Sequence, residues 1–294
     1  MKVSVYVPCF NGERYIAQCI ASLLTQTRRP DEIIVVDDGS TDRSPRVASA
    51  YPVRLIRHEQ NQGLGATRST GVRAATGDLI ASIDADCFAR RDWLERLTRI
   101  LESTPDAIGA AGQLIEANYD RIGDRWRTHH LPQNHGANPL PDVPYLHGAN
   151  TLFRREALLA AGGYDQRFRT NGEDFDICRR LKRKQPAGKL VYDSGAVVMH
   201  LKEDTVASVL RARFRYYYYP MAIYRPCDRV DILWRRLRQT GRANWRTLRF
   251  DVRHKFYGLA LVSAVGLVYV AARFVADYAR NRIKRVASGA GKQV

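Results

Sequence analysis

The sequence has few cysteines, and their arrangement argues against the usual structural uses of that residue. The five cysteines are odd in number, scattered and without a CxxC pair: Cys9, Cys19, Cys87, Cys178 and Cys227. This pattern disfavours a disulfide framework or a zinc site and is typical of a reducing compartment. The chain also lacks the GxGxxG and GxxxxGK[ST] fingerprints of dinucleotide-binding and P-loop proteins. Its first residues alternate like a strand, without the long apolar region of a signal peptide, so we expect the main domain to be cytoplasmic.

Acidic residues are scarce in the last part of the chain. Residues 1–210 hold 28 Lys and Arg against 26 Asp and Glu, whereas residues 211–294 hold 19 against 4. Nearly all of the formal net charge of +17 therefore belongs to the C-terminal region. A strongly basic region suits nucleic acid or an anionic membrane surface. The nearly neutral remainder gives no electrostatic indication of what it binds.

The C-terminal region, residues 205–294, is predicted to be helical and to associate with membranes. Tyr and Trp lie among the arginines of residues 211–255, as they do in membrane-interface belts and also in surfaces that stack on nucleic-acid bases. Residues 256–276 then form an apolar segment whose first 17 residues carry no charge. That length is at the lower limit for crossing a bilayer. The segment favours anionic lipid over nucleic acid and leaves open whether the helix crosses the membrane or lies in its headgroup region.

Residues 1–204 alternate between strand and helix patterns. Short apolar runs such as 33–36 and 79–83 indicate buried strands, and segments such as 13–26 and 88–104 have the apolar spacing of amphipathic helices. Strands that alternate with helices predict a mostly parallel α/β sheet with helices on both faces. The segment 118–144 has four prolines and weak periodicity, which predicts a loop over the ligand site.

Acidic residues follow several of the predicted strands. Asp84-Ala85-Asp86 follows the run 79–83, Glu13 follows the first strand, and Asp38 follows the second. Ligands of open α/β sheets bind at the carboxyl ends of the strands. Two carboxylates one residue apart suit a hard divalent cation that also contacts phosphate oxygens, although an acidic pair can equally be a solvated turn.

Together with downstream motifs, these residues resemble family 2 glycosyltransferases of the GT-A fold. The downstream motifs are His147-Gly148-Ala149-Asn150 and Gly162-Gly163-Tyr164-Asp165, followed by Asn171-Gly172-Glu173-Asp174. Their order matches that family, and the resemblance spans residues 3–200. It implies a Rossmann-like sheet and transfer of a sugar from a nucleotide-diphosphate donor with inversion at the anomeric carbon.

The resemblance also implies roles for individual residues. Asp174 would be the general base, and Mn²⁺ or Mg²⁺ would be held by Asp86, Asp84 and His200, although a structural role for His200 is equally open. The remaining assignments are donor binding by Pro8, Phe10, Glu13, Asp38, Arg68 and Asp84, and acceptor binding by Glu173, Gly148 and Asn150.

The C-terminal region adds an expectation about the acceptor. A catalytic domain at the cytoplasmic face of the membrane suits a lipid-linked acceptor or a growing surface glycan. Two alternatives come from other classes: a nucleic-acid-binding protein that uses the basic region, and a non-catalytic partner with the same fold. The sequence does not indicate an oligomeric state.

Overall fold

The structure is a computed structural model that describes residues 1–287, apart from the side chains of residues 219, 220 and 285–287. Within this range it contains eight strands and ten helices. The strands are β1 (Val3–Cys9), β2 (Glu32–Asp37), β3 (Arg54–Arg57), β4 (Leu79–Ile83), β5 (Cys87–Ala89), β6 (Ala107–Glu116), β7 (Asn150–Arg154) and β8 (Lys189–His200). The helices are α1 (Ile16–Leu24), α2 (Ser44–Ala48), α3 (Leu64–Ala74), α4 (Trp93–Ser103), α5 (Ile122–His130), α6 (Arg155–Ala160), α7 (Glu173–Lys184), α8 (Val206–Tyr224), α9 (Val230–Arg253) and α10 (Tyr257–Ala287).

The strands form one sheet in the order β3-β2-β1-β4-β7-β6-β8-β5. The first four are parallel, β7 is antiparallel to both β4 and β6, β8 is parallel to β6, and β5 is antiparallel to β8. Val5 and Tyr6 of β1 belong to separate buried clusters because successive side chains point to opposite faces of a sheet. Helices α1 and α4 cover one face, and α3 and α7 cover the other. The predicted α/β fold class is confirmed.

The parallel part of the sheet explains the apolar runs in the sequence. Residues Leu79–Ile83 are all buried, because helices cover both faces of β4. The carboxyl ends of β1, β2 and β4 lie at the same edge, since these strands are neighbours and parallel. The segments that follow them, including the acidic residues, are therefore brought to one side of the sheet.

The chain divides into two compact units, which are described separately. The first comprises residues 1–117 and 132–202 and contains the whole sheet. The second comprises residues 118–131 and the chain from residue 203 onward. One helix in the described part of the chain, α10, is long and apolar enough by length and composition to cross a membrane.

The loop predicted over residues 118–144 is wrong in its first half, where α5 forms. Trp126 is 1% exposed and packs in one apolar cluster with Val209 and Val262. Arg127 of the same helix forms a buried ion pair with Asp204. The helix was missed because its polar residues face partners that lie more than seventy residues away along the chain, so local periodicity did not reveal it.

Candidate active site

A buried arginine joins the two acidic motifs of the predicted site. Arg68, in the first turns of α3, is 1% exposed. Its Nη2 donates to Asp84 Oδ1 at 2.8 Å, its Nε to Glu173 Oε1 at 3.0 Å, and its Nη1 to Ser82 Oγ at 2.5 Å. The end of β4 and the start of α7, about ninety residues apart in sequence, therefore share one guanidinium. A buried arginine is retained only when such partners compensate its charge.

This geometry corrects the donor-binding assignment of Arg68. The sequence placed the side chain where it would face phosphate, but its guanidinium is directed inward to two carboxylates and a hydroxyl. The nearby Gly148 is part of the same packing, since a Cβ atom at residue 148 would lie 2.8 Å from Arg68 Nη2. Gly148 therefore leaves room for the guanidinium.

We expect Arg68→Met to lower the free energy of unfolding by about 3–5 kcal/mol, because it leaves Asp84 without its ion-pair partner and buried Glu173 without its hydrogen-bond donor. Arg73→Met is the matched control on the same helix, since Arg73 is exposed. Urea unfolding of both variants measures the difference. Equal stability of the two variants would show that Arg68 is not a structural link.

Glu173 lies inside the protein, which corrects its assignment to acceptor binding. It is 3% exposed, and its Oε2 atom is buried without a hydrogen-bond partner among the described residues. Burial, helped by the neighbouring Asp174 charge and opposed by Arg68, raises the pKa of Glu173 to about 8. The side chain is therefore mostly protonated at neutral pH. It is connected to the other site residues by its hydrogen bond with Arg68.

The raised pKa of Glu173 gives a pH-dependent prediction. The ordinary pKa is 4.5 and the folded-state pKa is about 8, so the folded state binds the extra proton between these values. Stability from this group is complete below pH 4.5 and is lost as the pH rises toward 8. Glu173→Gln keeps the shape and cannot ionise, so its stability relative to the wild type should increase over that window. Urea unfolding at several pH values tests this, and parallel pH profiles of the two proteins would contradict it.

Asp86 and His200 meet because β5 and β8 are antiparallel neighbours. Cys87 pairs with His200, and the backbone N–H of Leu201 donates to the Asp86 carbonyl at 2.8 Å. His200 Nε2 lies 3.4 Å from Asp86 Oδ2, and its Nδ1 lies 2.6 Å from Glu116 Oε2. Although burial opposes it, the two carboxylates raise the pKa of His200 to about 10. The protonated imidazole therefore orients Asp86.

The two aspartates of the triplet have different environments. Burial alone would raise the pKa of Asp86, but the charge and hydrogen bond of His200 lower it to about 2. Burial raises the pKa of Asp84, and the charge of Asp86 acts in the same direction while Arg68 opposes both. Asp86 is thus the firmly ionised member of the pair.

Asp84, Asp86 and His200 could hold a divalent cation only together with further ligands. The Asp84 and Asp86 side chains are 32% and 30% exposed, so their oxygens can be reached, and such oxygens suit Mg²⁺ or Mn²⁺. His200 would have to lose its proton to become a ligand. Across residues 1–287, no three His, Cys, Asp or Glu side chains converge as a complete metal site. The protein thus offers two carboxylates and one candidate imidazole, and leaves the other positions to substrate and water.

Asp174 lies at the exposed end of the same arrangement, in the first turn of α7. Gly172, with φ of 94°, precedes the helix in a left-handed conformation. The N–H groups of Gly148 and Phe175 donate to the two oxygens of Asp174, at 3.2 Å and 2.8 Å. Its carboxylate is held in place while remaining partly exposed.

A group of rings near Asp174 was not predicted from the sequence. Tyr145 lies 4.9 Å from His147 and 5.8 Å from Phe175 between ring centroids, and Phe175 is 43% exposed. Burial, together with the charge of His135 and against that of Asp174, lowers the pKa of His147 to about 4. His147 is therefore neutral at neutral pH. The only sequence signal was its position in the motif His147-Gly148-Ala149-Asn150, in which Gly148 and Asn150 were assigned to the acceptor.

The predicted donor-binding residues lie at the ends of β1 and β2 with different exposures. Phe10 is 50% exposed, whereas Pro8 is buried within β1. Glu13 accepts hydrogen bonds from Arg43. Of these side chains, that of Phe10 is the most accessible.

Asp38 organises a loop, and its neighbour Asp37 keeps a free oxygen. Both oxygens of Asp38 are used, by His58 and by the N–H groups of Gln62 and Gly63 at 2.7–2.9 Å. Asp37 is 1% exposed, and its Oδ1 atom is buried without a partner in the part of the chain that the structure describes. Both oxygens of Asp38, which the resemblance assigns to donor binding, are therefore engaged within the fold.

Asn150 does not belong to the surface of the site, which corrects its acceptor-binding assignment. Its side chain is fully buried. Its Oδ1 accepts from Trp93 Nε1 at 2.7 Å and from the Gly112 N–H at 3.2 Å, and its Nδ2 donates to the carbonyls of Gln113 and Ala196. A fully bonded amide in the core joins β6, β7 and β8 and leaves nothing for a ligand.

Comparison with known proteins assigns the chain to a protein family. The model described as glycosyl transferase family 2 matches residues 4–160. The chain is 29% identical over 68% of its length to the glucosyl-dolichyl phosphate glucuronosyltransferase of Haloferax volcanii, and 32% identical over 71% of its length to the succinoglycan biosynthesis protein ExoO of Rhizobium meliloti. It spans 69% and 63% of those two relatives.

A solved structure shares the fold. The mannosyltransferase PcManGT from Pyrobaculum calidifontis, in complex with GDP-Man and Mn²⁺, has a TM-score of 0.57, is 19% identical, and is matched over 98% of this chain and 79% of its own. At that identity the likeness shows the GT-A fold alone. The family model covers more than half of the sequence, and the expected resemblance is confirmed: the chain belongs to glycosyltransferase family 2 and is a glycosyltransferase.

Proposed function

We propose that this enzyme transfers a sugar from a nucleotide-diphosphate donor to a hydroxyl group of a lipid-linked or cell-surface glycan, with inversion and with the help of a divalent cation. The observation that carries the proposal is the link Asp84–Arg68–Glu173, which ties the candidate diphosphate site to the helix that presents Asp174. Positioning of reacting groups relative to one another is a large part of catalysis in such transfers.

Asp174 is proposed to act as the general base. It would take the proton of the acceptor hydroxyl as that oxygen attacks the anomeric carbon, while the bond from that carbon to the diphosphate oxygen breaks and the nucleoside diphosphate leaves. A single displacement inverts the configuration. The N–H groups of Gly148 and Phe175 donate to its two oxygens and would hold the carboxylate in place for this step.

Asp86 and Asp84 are proposed to hold the cation, with His200 as a third candidate ligand. When bound, Mn²⁺ or Mg²⁺ supplies charge neutralisation for the departing diphosphate. The solved neighbour with GDP-Man and Mn²⁺ supports this class of cofactor. Phe10, which is 50% exposed, is proposed to contact the nucleoside.

The acceptor is proposed to meet the ring group beside Asp174. Phe175 offers an exposed apolar face to a sugar ring, and neutral His147 can exchange hydrogen bonds with hydroxyl groups. A lipid-linked or polymeric acceptor is supported by the names of the archaeal and Rhizobium relatives and by the apolar α10. Association with anionic membrane at its cytoplasmic face is part of this proposal.

A calorimetric screen of nucleotide-diphosphate sugars, each with Mn²⁺, Mg²⁺ or chelator, tests the donor and the metal together. We expect one donor class to bind with a dependence on the cation, and the product formed with a glycan acceptor to have the opposite anomeric configuration by NMR. Retention of configuration would overturn the mechanism. Binding of oligonucleotides without donor binding would favour the alternative reading of the basic region, and donor binding without transfer would favour a non-catalytic partner.

A further inference from the structure

We infer that α10 lies flat on the surface of an anionic bilayer, with its exposed apolar face in the headgroup region, and that α10 does not cross the membrane. The inference rests on the membrane association proposed above and specifies its geometry. All the residues on which it depends belong to the second compact unit.

The outward face of α10 is a continuous apolar stripe. Its members recur every three or four residues, so they share one side of the helix, and all are exposed: Tyr257, Leu261, Val265, Val268, Ala272, Val275, Ala279 and Ile283. Leu261, Val268 and Ile283 are 66–70% exposed. The stripe runs for roughly 39 Å at the rise of an α-helix. An exposed apolar surface of this extent marks an interaction site.

The opposite face of α10 packs against other helices of the second compact unit. Val270 and Phe274 are fully buried. Ser263 accepts from Trp126 Nε1 at 2.8 Å and donates to Asp251 at 2.5 Å, and Asp277 accepts from the Tyr218 hydroxyl at 2.8 Å. Helices α5, α8 and α9 thus hold the inner face of α10 along its length.

Helix α9 carries a second stripe, composed of arginine. Its six members also recur every three or four residues and are exposed: Arg235, Arg238, Arg242, Arg246, Arg249 and Arg253. None of the six forms an ion pair within residues 1–287. Trp234 and Trp245, 65% and 54% exposed, flank them. Unpaired arginines of this kind are costly to place in the hydrocarbon of a bilayer.

The two helices pack as an antiparallel hairpin. Asp251, at the end of α9, contacts Ser263 near the start of α10, and Arg236, near the start of α9, stacks on Phe274 at 5.8 Å. Each stripe lies opposite the buried face of its own helix. Because those buried faces pack against each other, the α9 arginines point away from a bilayer that meets the α10 stripe.

The packing of α9 on α10 argues against a helix that crosses the membrane. If α10 spanned the bilayer, α9 would have to lie beside it across the hydrocarbon, and the six unpaired arginines would be placed where charged side chains are costly. Separation of the helices would instead expose Asp251 and Arg236, which are 0% and 4% exposed in the hairpin. A helix in the plane of the interface avoids both costs.

Depth measurements on the full chain distinguish the two geometries. All five native cysteines are buried, so single cysteines at Leu261, Val268 and Val275 can be labelled with nitroxide on vesicles of phosphatidylcholine and phosphatidylglycerol in equal parts. We expect all three labels at one depth, about 5–10 Å below the headgroups. Depths that differ by roughly 21 Å between residues 261 and 275 would show a crossing helix and overturn the inference.

Vesicle binding by substituted proteins tests the two stripes separately. Val268→Glu with Val275→Glu should abolish flotation with the vesicles, whereas Leu159→Glu, an exposed apolar position in the first unit, should not. Arg238→Gln, Arg242→Gln and Arg246→Gln together should leave flotation largely unchanged, because these side chains point away from the bilayer.

The remaining outcomes are distinguishable. If wild-type protein binds no vesicles but still transfers sugar to a soluble acceptor, the proposed membrane association fails while the proposed chemistry stands. A stable dimer that the double glutamate variant dissociates, or oligonucleotide binding that the arginine variant abolishes without any vesicle binding, would assign the surface to another partner and overturn the inference.

Discussion

Asp174→Asn is expected to lower the transfer rate by about 10²–10⁴-fold, the usual contribution of a general base, while largely sparing donor binding. Asparagine has nearly the same shape and can still accept from the N–H of Gly148, but it cannot take a proton. The measurement pairs a rate of product formation with calorimetry of the cation-bound nucleotide-diphosphate sugar.

The matched control for this variant is Asp106→Asn. Asp106 forms an exposed ion pair with Lys189 away from the site residues, so its loss should leave the rate unchanged. Full activity of Asp174→Asn would remove the residue from the chemistry. Equal loss of donor affinity and rate would show that Asp174 supports the donor instead.

Asp86→Ala is expected to abolish transfer by a different route, through the loss of cation-dependent donor binding. Asp86 is the firmly ionised member of its pair, since its pKa is lowered to about 2. Loss of a residue that only supports a metal ligand costs about 10–100-fold in affinity, so loss of a ligand itself should cost at least about 100-fold. Calorimetry with Mn²⁺ and with chelator measures the effect.

The two variants together separate binding from chemistry. Donor affinity should fall in Asp86→Ala and persist in Asp174→Asn, and transfer should fail in both. Asp92→Ala is the control for the first, because Asp92 is a partly exposed acid six residues further along. Unchanged cation dependence of donor binding in Asp86→Ala would contradict its role as a ligand.

The order of strands and helices in the first unit was predictable because it depends on local patterns. Apolar runs such as Leu79–Ile83 and the helical spacing of Ile16, Ile20 and Leu23 record which faces are buried, and burial of a strand between two layers of helices leaves a continuous apolar signature. The position of the acidic residues followed, since parallel neighbouring strands end at one edge.

The partners of the side chains were not predictable in the same way. Arg68 was expected to face the donor, Glu173 and Asn150 were expected to bind the acceptor, and all three are buried and bonded within the fold. A hydrogen-bond partner 105 residues away leaves no periodic trace near either residue. The helix α5 was missed for the same reason, since its stabilising contacts come from the C-terminal helices.

The sequence by itself determined the family, the α/β architecture, the acids at the strand ends, and the separation of a neutral domain from a basic, apolar C-terminal region. Each of these follows from local features of the sequence, namely periodicity, composition or an ordered motif. Only the tertiary structure decided that one buried guanidinium joins the two acidic motifs, that Asp86 and not Asp84 is held ionised by a histidine, and that α10 is paired with an arginine-bearing helix. Those properties depend on which distant side chains share a buried environment, because charge compensation and desolvation arise only when the chain has folded.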